Sequence, residues 1–323
     1  LVTVIGSPAV VLPYLKELDE FLLLSHIHPD GDSIGSLLGL ADLLEQLGKT
    51  FTITSTDPIP AGYQFLEGVT DINVGAKGLR ERYNNVIILD LSDPRRTGCL
   101  QRYLKSAVNL ITVDHHPGNE FLQPKYVRTT ACATGELIYE LFQEAGIRPS
   151  RKGAQALYTA IMTDTGRFSY ANTTQESLVI AADLVELGAD PNSIYENVYQ
   201  GKPLEFVKLL GKVLDTLQIT CNGRVAYLYI DQEMLAQFSI EIGDTEHYIS
   251  YAQMIEGVEV ALLFRELTGG TKVSWRSKAA VDVSVFAQEF GGGGHKNAAG
   301  CELDAAPEKA MGEVLTFLQE QFC

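Results

Sequence analysis

The sequence is poor in cysteine and has no paired-cysteine motif. Its 323 residues include five cysteines, which stand far apart without a Cys-x-x-Cys spacing. An odd number at these spacings argues against a disulfide framework and a structural zinc site, and predicts reduced thiols and a cytoplasmic location. The five are Cys99, Cys132, Cys221, Cys301 and Cys323.

Long apolar runs, a basic leader and an excess of cations are also missing. No apolar stretch approaches the ~18 residues that span a bilayer, and no basic segment precedes an apolar one at the start of the chain, so we expect neither a membrane span nor a signal peptide. The 25 Lys and Arg against 41 Asp and Glu give a net charge of −16. Such a chain repels long duplex nucleic acid, so its partners should be small.

The first half of the chain alternates between apolar strand patterns and helical patterns. Short apolar runs predict strands over 21–24, 51–54, 86–89 and 110–113, and helical spacing predicts helices over 34–47, 134–145, 153–163 and 175–187. This alternation is typical of an α/β domain whose mostly parallel sheet has helices on both faces.

The pattern changes after a glycine- and proline-containing region at 188–203. An amphipathic helix is predicted over 204–217, hairpins around Asn222-Gly223 and Thr268-Gly269-Gly270, and helices near 282–290 and 307–321. These elements predict a smaller α+β domain. We therefore expect a first domain over 1–190, a helical linker over 191–217 and a second domain over 218–323.

Acidic and imidazole side chains follow the predicted strands. The turn after 21–24 carries His26, Asp30 and Asp32 in a His-x3-Asp-x-Asp spacing, and Asp90 directly follows 86–89. Asp114-His115-His116 follow the strand at 110–113, and Asp164 ends an apolar helix. Taken singly, the aspartates could be caps or turn residues. Together they converge, because the carboxyl ends of parallel strands meet at one edge of the sheet, where ligands bind.

The chemistry of this set predicts a metal centre. Four carboxylates and two imidazoles are too many ligands, and too rich in oxygen, for one zinc ion. They suit two divalent ions that share a bridging carboxylate, with Mn²⁺ favoured and Mg²⁺ or Co²⁺ as alternatives. Neighbouring His115 and His116 should point different ways, so that one binds metal and the other meets substrate. The predicted ligands are His26, Asp30, Asp32, Asp90, His115 and Asp164.

Candidate anion-binding groups lie mainly in the second half. The run Gly291–Gly294 can turn its amides toward an anion, and His295 adds a donor, although such a run is also typical of a flexible loop. Arg276 near a strand end could hold a phosphate with two nitrogens, or be a plain surface arginine. Arg96 and Arg167 are further candidate contacts in the first half, with a solvated surface position as the alternative.

These motifs, in this order, resemble the DHH/DHHA1 phosphoesterase family over about residues 10–320. The matching features are the His-x3-Asp-x-Asp opening, Asp90, Asp114-His115-His116, Asp164 and the Gly-Gly-Gly-His-x-x-Ala-Ala-Gly segment ending at Gly300. The resemblance implies a DHH metal-binding catalytic domain, a DHHA1 substrate-binding domain and a dinuclear Mn²⁺ site in the cleft between them.

Residue roles follow from the same resemblance. It implies that Arg276, Ser277 and the glycine segment through His295 hold the far phosphate of the substrate, with Gly292, Gly293 and Gly294 supplying backbone groups. We expect His116 to contact the phosphoryl group and Asp114 to orient the adjacent histidines. Asp32 is expected to be both a metal ligand and essential for catalysis.

The implied reaction is that of a phosphoric ester hydrolase, with hydroxide activated by two metal ions attacking phosphorus. The compact branch of the family acts on nanoRNA of two to five nucleotides and on 3′-phosphoadenosine 5′-phosphate (pAp), which yields AMP. The partners would then be short single-stranded RNA or small nucleotides, and the family resemblance also implies a homodimer.

Three alternatives follow from related proteins. Inorganic pyrophosphatases share only the first domain and end in a Ser-Arg-Lys-Lys-Gln signature that this sequence lacks. A soluble cyclic-dinucleotide phosphodiesterase would use the same motifs, as would an enzyme for linear dinucleotides. A non-catalytic nucleotide-binding regulator is disfavoured by the complete set of ligand residues.

Overall fold

The computed structural model describes residues 4–119, 121, 124–278 and 281–323, without the side chains of Asp244 and His295. The chain divides into two compact units, Leu1–Gly201 and Lys202–Cys323. Among the described residues, no helix combines the length and apolar character needed to cross a bilayer. The border between the units falls inside the proposed linker, whose limits at 191 and 217 remain predictions.

A mostly parallel sheet forms the middle of the N-terminal unit. Its strands are β1 (Val4–Ile5), β2 (Phe21–Leu24), β3 (Phe51–Ser55), β4 (Asn73–Val74), β5 (Asn85–Leu89), β6 (Asn109–Asp114) and β7 (Lys125–Arg128). They lie in the order β1-β7-β6-β5-β2-β3-β4, and only the pairing of β1 with β7 is antiparallel among these described strands. The predicted parallel sheet is confirmed.

Helices cover this sheet. They are α1 (Pro8–Glu17), α2 (Gly31–Gln46), α3 (Gln101–Ser106), α4 (Thr134–Ala145), α5 (Arg151–Asp164), α6 (Gln175–Glu186) and α7 (Pro191–Tyr199). Phe21 and Leu23 belong to one buried cluster, whereas Leu22 and Leu24 belong to another. Because successive side chains of a strand point to opposite faces, both faces of the sheet are buried. The α/β prediction is therefore confirmed.

Close packing of α2 on α5 brings the start of one helix beside the end of the other. A Cβ added at Gly35 would lie 2.4 Å from the Ala156 carbonyl oxygen, and one at Gly31 would lie 2.3 Å from Thr163 Oγ1. Only glycine permits this approach of the two backbones. The residues at the start of α2 therefore lie beside Asp164, the last residue of α5.

The C-terminal unit contains a mixed sheet and five described α-helices. The strands are β8 (Gln218–Thr220), β9 (Val225–Ile230), β10 (Val260–Leu267), β11 (Gly270–Ser277), β12 (Gly293–His295) and β13 (Ala298–Leu303). Their order is β12-β13-β11-β10-β9-β8, with only β9 and β10 parallel among the described pairs. The helices are α8 (Leu204–Leu214), α9 (Gln232–Phe238), α10 (Ile249–Gln253), α11 (Val283–Glu289) and α12 (Pro307–Gln321).

Both predicted hairpins are confirmed. Asn222 and Gly223 have positive φ angles of 55° and 92° in the connection between the antiparallel β8 and β9. Gly269, with φ of 97°, lies in the turn between the antiparallel β10 and β11. Such angles favour glycine and asparagine, which explains why these turns could be recognised from the sequence. The smaller α+β domain is likewise confirmed.

The glycine run is partly a strand rather than the expected loop. Gly293, Gly294 and His295 pair in antiparallel register with residues 298–300 of β13. A Cβ at Gly294 would lie 2.5 Å from the Ala298 carbonyl oxygen, so close strand approach requires glycine there. The helix predicted to reach residue 217 is also shorter than expected, because α8 ends at Leu214 and β8 follows.

The expectation of reduced thiols is wrong for one pair of cysteines. Cys221 and Cys323 form a disulfide, with their Cα atoms 4.9 Å apart, while Cys99, Cys132 and Cys301 are free. That separation lies within the range a disulfide spans. The two cysteines are 102 residues apart in sequence, so spacing alone could not indicate the pair; the fold brings the chain end back to the β8–β9 turn.

Candidate metal centre

The predicted ligand residues meet at the carboxyl edge of the parallel sheet. His26, Asp30 and Asp32 follow β2, Asp90 follows β5, Asp114 ends β6 just before His115 and His116, and Asp164 ends α5. Strands β2, β5 and β6 are parallel neighbours, so their carboxyl ends lie side by side. The contact between α2 and α5 adds the helix-end residue to the same place.

Asp90 lies between two histidines. Its Oδ2 is 3.4 Å from His26 Nε2, and its Oδ1 is 3.6 Å from His115 Nε2. Its side chain is only 2% exposed. Its backbone has φ of 56°, a left-handed conformation that non-glycine residues adopt rarely and mostly under local constraint. Oδ2 thus faces His26, whereas Oδ1 faces both His115 and His116, whose Nδ1 is 3.4 Å away. Oxygens that face imidazoles on two sides are the arrangement expected of a bridging carboxylate.

The remaining candidates form two groups around this residue. His26 Nε2 is 3.7 Å from Asp30 Oδ2, and His115 Nε2 is 3.7 Å from both Asp32 Oδ2 and Asp164 Oδ2. Within each group the possible ligand atoms lie no more than 4.8 Å apart; the groups are His26, Asp30 and Asp90, and Asp32, His115 and Asp164. All six residues named from the sequence are therefore brought together.

The carboxylates govern the protonation of the two imidazoles. Burial alone would lower the pKa of His26, but Asp30 and Asp90 outweigh it and raise that pKa to about 10. Burial likewise opposes the charged form of His115, whose pKa Asp164, Asp32 and Asp90 raise to about 10. Without metal, both rings therefore carry a proton at neutral pH and partly balance the acidic cluster.

Negative charge still exceeds positive charge in this cluster. Burial and the nearby Asp90 carboxylate raise the pKa of Asp32 well above its usual range. Burial also raises the pKa of Asp164 to about 6, although His115 opposes this shift. Four carboxylates lie close to two imidazoles. Metal cations that replaced the bound protons would stabilise the ionised carboxylates. The donor set therefore fits divalent ions.

Residues at the start of helix α4 donate hydrogen bonds to two of the carboxylates. The sequence analysis did not predict these contacts. The backbone N–H groups of Thr134 and Gly135 donate to Asp32 over 2.7 and 2.9 Å. The Thr134 hydroxyl donates to Asp90 Oδ1 over 3.0 Å. These are the amides that a helix N-terminus leaves without internal partners, and they favour a negative charge. The only sequence signal was the small-residue run of Ala131–Ala133 before the helix.

Asp114 accepts hydrogen bonds from His116, which is not one of the six predicted metal ligands. Asp114 Oδ1 accepts hydrogen bonds from the backbone N–H and the Nδ1 of His116, over 3.1 and 2.8 Å. Its other oxygen accepts from Asn119 Nδ2 at 2.8 Å, a contact not anticipated from the sequence. The adjacent His115 turns its Nδ1 toward the Ala131 carbonyl oxygen, 3.3 Å away. The Nδ1 atoms of the two rings therefore have different hydrogen-bond partners, although both rings also face Asp90 Oδ1, at 3.6 and 3.4 Å.

Of the two arginines named in the first half, Arg96 lies in a 3-10 helix over Pro94–Leu100 and Arg167 lies in a turn. The backbone carbonyl of Arg96 accepts from the Ile27 N–H over 2.7 Å, which ties its turn to the loop after β2. Arg167 is exposed, has φ of 63°, and places its guanidinium 5.1 Å from the centre of the Tyr199 ring. Their contact with substrate stays a prediction.

The other predicted substrate residues lie in the C-terminal unit. Ser277 is buried, where its hydroxyl donates to the Val281 carbonyl oxygen at 2.7 Å and accepts from Asn297 Nδ2 at 2.9 Å. Arg276 donates from Nη1 to the Trp275 carbonyl oxygen at 3.0 Å. The backbone of His295 lies in β12, but its side chain is outside the described part of the structure. The Ser277 hydroxyl therefore links residues 281 and 297.

The chain is similar to known proteins over nearly its whole length. The family model for the DHH family, N-terminal domain, matches residues 20–161, and that for the DHHA1 domain matches residues 222–322. Two curated relatives are both named bifunctional oligoribonuclease and PAP phosphatase NrnA. The Bacillus subtilis protein is 28% identical, covering 88% of this chain and 90% of its own length. The Thermus thermophilus protein is 30% identical, covering 89% and 86%.

A solved structure shows the same fold. The crystal structure of an exopolyphosphatase-related protein from Bacteroides fragilis has a TM-score of 0.89 and 27% identity, covering 96% of this chain and 94% of that one. Both family models match this chain, and the relatives cover most of its length. The chain belongs to the DHH/DHHA1 phosphoesterase family.

Proposed function

We propose that this chain is a metal-dependent phosphoesterase that hydrolyses nanoRNA of two to five nucleotides and converts pAp to AMP. The observation that carries this proposal is the position of the buried Asp90, whose two oxygens face His26 and His115 in the acidic cluster. The names of the two curated relatives, which are those of an oligoribonuclease and PAP phosphatase, support the choice of substrates. The −16 charge also suits short substrates, which need no long basic track.

The proposed metal ligands are the six residues of the cluster: His26, Asp30, Asp32, Asp90, His115 and Asp164. Two divalent ions bound there would act as Lewis acids toward the phosphoryl oxygens and lower the pKa of water. We propose Mn²⁺ as the physiological ion, because imidazole nitrogens accompany the carboxylates, with Mg²⁺ and Co²⁺ as possible substitutes. Asp90 would be a ligand of both ions. The backbone N–H groups at the start of α4 would orient the Asp32 carboxylate for metal binding.

His116 is the proposed contact to the phosphoryl group. Asp114 accepts a hydrogen bond from its Nδ1 at 2.8 Å, which fixes the ring and favours a proton on that nitrogen. Nε2 would then contact a phosphoryl or leaving-group oxygen. Asp114 is a positioning residue in this account, because it acts through His116 and accepts from Asn119 on its other side.

The far phosphate of the substrate is assigned to the C-terminal unit. We propose Arg276 as its main cation, with backbone groups of Gly292, Gly293 and Gly294 and the His295 ring as further contacts. Ser277 supports this region through its hydrogen bonds to residues 281 and 297. Arg96 and Arg167 are proposed to contact the substrate from the N-terminal unit.

The experiment compares four substrates with Mn²⁺ present. They are pAp, the linear dinucleotide pGpG, a 5′-phosphorylated RNA pentamer and cyclic di-AMP, with the Asp32→Ala variant as the blank. Release of AMP from pAp and of mononucleotides from both linear RNAs, with cyclic di-AMP untouched, would support the proposal. Turnover of cyclic di-AMP alone would replace it with a cyclic-dinucleotide phosphodiesterase. Tight binding without turnover of any substrate would replace it with a nucleotide-binding regulator.

A further inference from the structure

Two arginines of the C-terminal unit lie on one face of its sheet. Arg265 on β10 pairs with Lys272 of β11, and Arg276 of β11 pairs with Ala261 of β10. Ser274 lies between Lys272 and Arg276 on the same strand. Because side chains two positions apart share a face of a strand, Arg265, Ser274 and Arg276 point to the same side. This face therefore carries three basic residues, Arg265, Lys272 and Arg276, with Glu302 as the register partner of Lys272 on β13.

The glycine segment continues this arrangement. In β13, Ala298 is the register partner of Arg276, and Gly300 is that of Ser274. Gly293 of β12 in turn pairs with Gly300. Arg276 thus lies two strands from the glycine strand β12, and Arg265 lies three strands from it. Strand β12 is part of the region proposed to bind the far phosphate of the substrate.

Arg265 is buried to an unusual degree for its type. Its side chain is 2% exposed. Its Nη2 donates to Ser274 Oγ at 2.7 Å, and its Nη1 donates to the Ile242 carbonyl oxygen at 3.4 Å. Its Nε has no hydrogen-bond partner among the residues that the structure describes. A buried guanidinium is costly unless anions surround it, and a neutral hydroxyl and a carbonyl do not supply that charge.

One carboxylate lies between the two arginines. Glu246 Oε1 is 3.8 Å from Nη2 of Arg265 and 3.8 Å from Nη2 of Arg276. Both distances exceed those of direct charged hydrogen bonds. The Glu246 side chain is 47% exposed, whereas that of Arg276 is 24% exposed. Burial alone would raise the pKa of Glu246, but the two arginines outweigh it and lower that pKa. One loosely held carboxylate therefore covers two cations.

We infer that Arg265 is a second arginine of the phosphate site, and that Glu246 occupies the position a substrate phosphate takes between Arg265 and Arg276. This inference rests on the proposed function of Arg276. The ligand is the dianionic phosphate monoester at the end of a nucleotide substrate. When it binds, Glu246 swings toward solvent, and the phosphate meets both guanidinium groups.

Charge and geometry explain why a monoester should displace this carboxylate. A terminal phosphate carries close to two negative charges and three acceptor oxygens, whereas Glu246 offers one charge and a single oxygen near both arginines. Guanidinium forks match phosphate oxygens well. Displacement would also replace the distant carboxylate beside buried Arg265 with an anion of higher charge. Glu246 thus makes the site selective, because an anion of lower charge would not bind the arginines strongly enough to displace it.

The test measures binding of AMP and adenosine to the full chain in EDTA by titration calorimetry, so that no metal contributes. Glu246→Gln should tighten AMP binding by about threefold to tenfold, because a competing charge is removed, and leave adenosine binding unchanged. Arg265→Lys keeps the charge but loses the fork, so it should weaken AMP binding. Glu256→Gln, an exposed carboxylate of the same unit, and Arg224→Lys, paired with Glu259, are the matched controls.

The outcomes separate this inference from the proposed function. Unchanged or weaker AMP binding by Glu246→Gln would overturn the inference, as would equal effects on AMP and adenosine. If Arg265→Lys loses its cooperative thermal transition, the Glu246→Gln result decides alone. Hydrolysis is assayed separately with Mn²⁺. If the variants change AMP binding as expected but the wild-type protein hydrolyses no substrate, only the proposed function is overturned. If the protein hydrolyses its substrates but Glu246→Gln leaves AMP binding unchanged, only the inference is overturned.

Discussion

The backbone N–H of Thr134 donates a 2.7 Å hydrogen bond to Asp32 Oδ2, so a candidate metal ligand lies at the N-terminus of a helix. Gly135 donates to the other oxygen of the same carboxylate at 2.9 Å. Both oxygens are thus oriented before any ion binds. The Thr134 hydroxyl also reaches Asp90 at 3.0 Å, which links the two carboxylates through a single residue.

Asp90 should be indispensable for hydrolysis. Asp90→Asn keeps the shape of the side chain but replaces a carboxylate oxygen with an amide, which cannot bridge two cations. We expect kcat for pAp to fall more than about 100-fold, with the thermal transition retained. Asp71→Asn, at an exposed carboxylate of the same unit, is the control. Wild-type activity in the Asp90 variant would contradict the assignment.

Thr134 should tune the metal centre without being a ligand. Thr134→Val removes the hydroxyl donor to Asp90 and keeps the backbone N–H that binds Asp32. We expect Mn²⁺ affinity to fall by about tenfold, as for other groups that orient ligands. Thr159→Val removes another buried hydroxyl, which donates to the Gln155 carbonyl oxygen in α5, and serves as the matched control. Equal losses in both variants would indicate a general packing effect.

Asp114 should affect the chemical step more than metal binding. Asp114→Asn weakens the hold on His116 Nδ1, so the ring loses its orientation toward the substrate. We expect kcat to fall about tenfold to 100-fold, while KM and Mn²⁺ affinity change little. Asp183→Asn, at a carboxylate that accepts from Tyr139 outside the cluster, should leave kcat unchanged. A loss confined to Mn²⁺ affinity would instead make Asp114 part of the metal site.

Binding of Mn²⁺ should release protons. The surrounding carboxylates outweigh burial and raise the pKa of His26 and His115 to about 10, so both rings are protonated in the metal-free protein below that pH. A histidine that binds metal must be a neutral imidazole, so these two rings together release about two protons, and Mn²⁺ affinity should rise from about pH 7 to pH 9.

Calorimetry in buffers of different ionisation enthalpy counts these protons. A binding enthalpy that does not depend on the buffer would contradict the protonation states inferred for the two rings. The His28→Ala variant is the control, because His28 is an exposed histidine of the same loop whose loss should leave the proton count unchanged.

The parallel sheet and the ligand candidates could be predicted because their signals are local. Short apolar runs such as Phe21–Leu24 are buried on both faces, and an acidic or imidazole residue follows each of the three central strands. Parallel neighbouring strands have their carboxyl ends at one edge of the sheet. This rule predicts that residues distant in sequence lie close together there. Asp164 belonged to the same set through the end of an apolar helix.

The supporting contacts could not be predicted, because they depend on packing between distant elements. Thr134 reaches Asp32 across 102 residues, through a backbone N–H that no side-chain pattern reveals. The bond from Asn119 to Asp114 depends on the course of a loop. The disulfide of Cys221 and Cys323 and the strand formed by Gly293–His295 likewise depend on how the C-terminal unit closes.

The central claim is that Asp90 joins two metal ions. Anomalous diffraction at the manganese edge, from crystals grown with Mn²⁺, tests it most directly. We predict two peaks, one among His26, Asp30 and Asp90 and one among Asp32, His115 and Asp164, with an Asp90 oxygen within bonding distance of each. A single peak, or peaks away from these residues, would contradict the account.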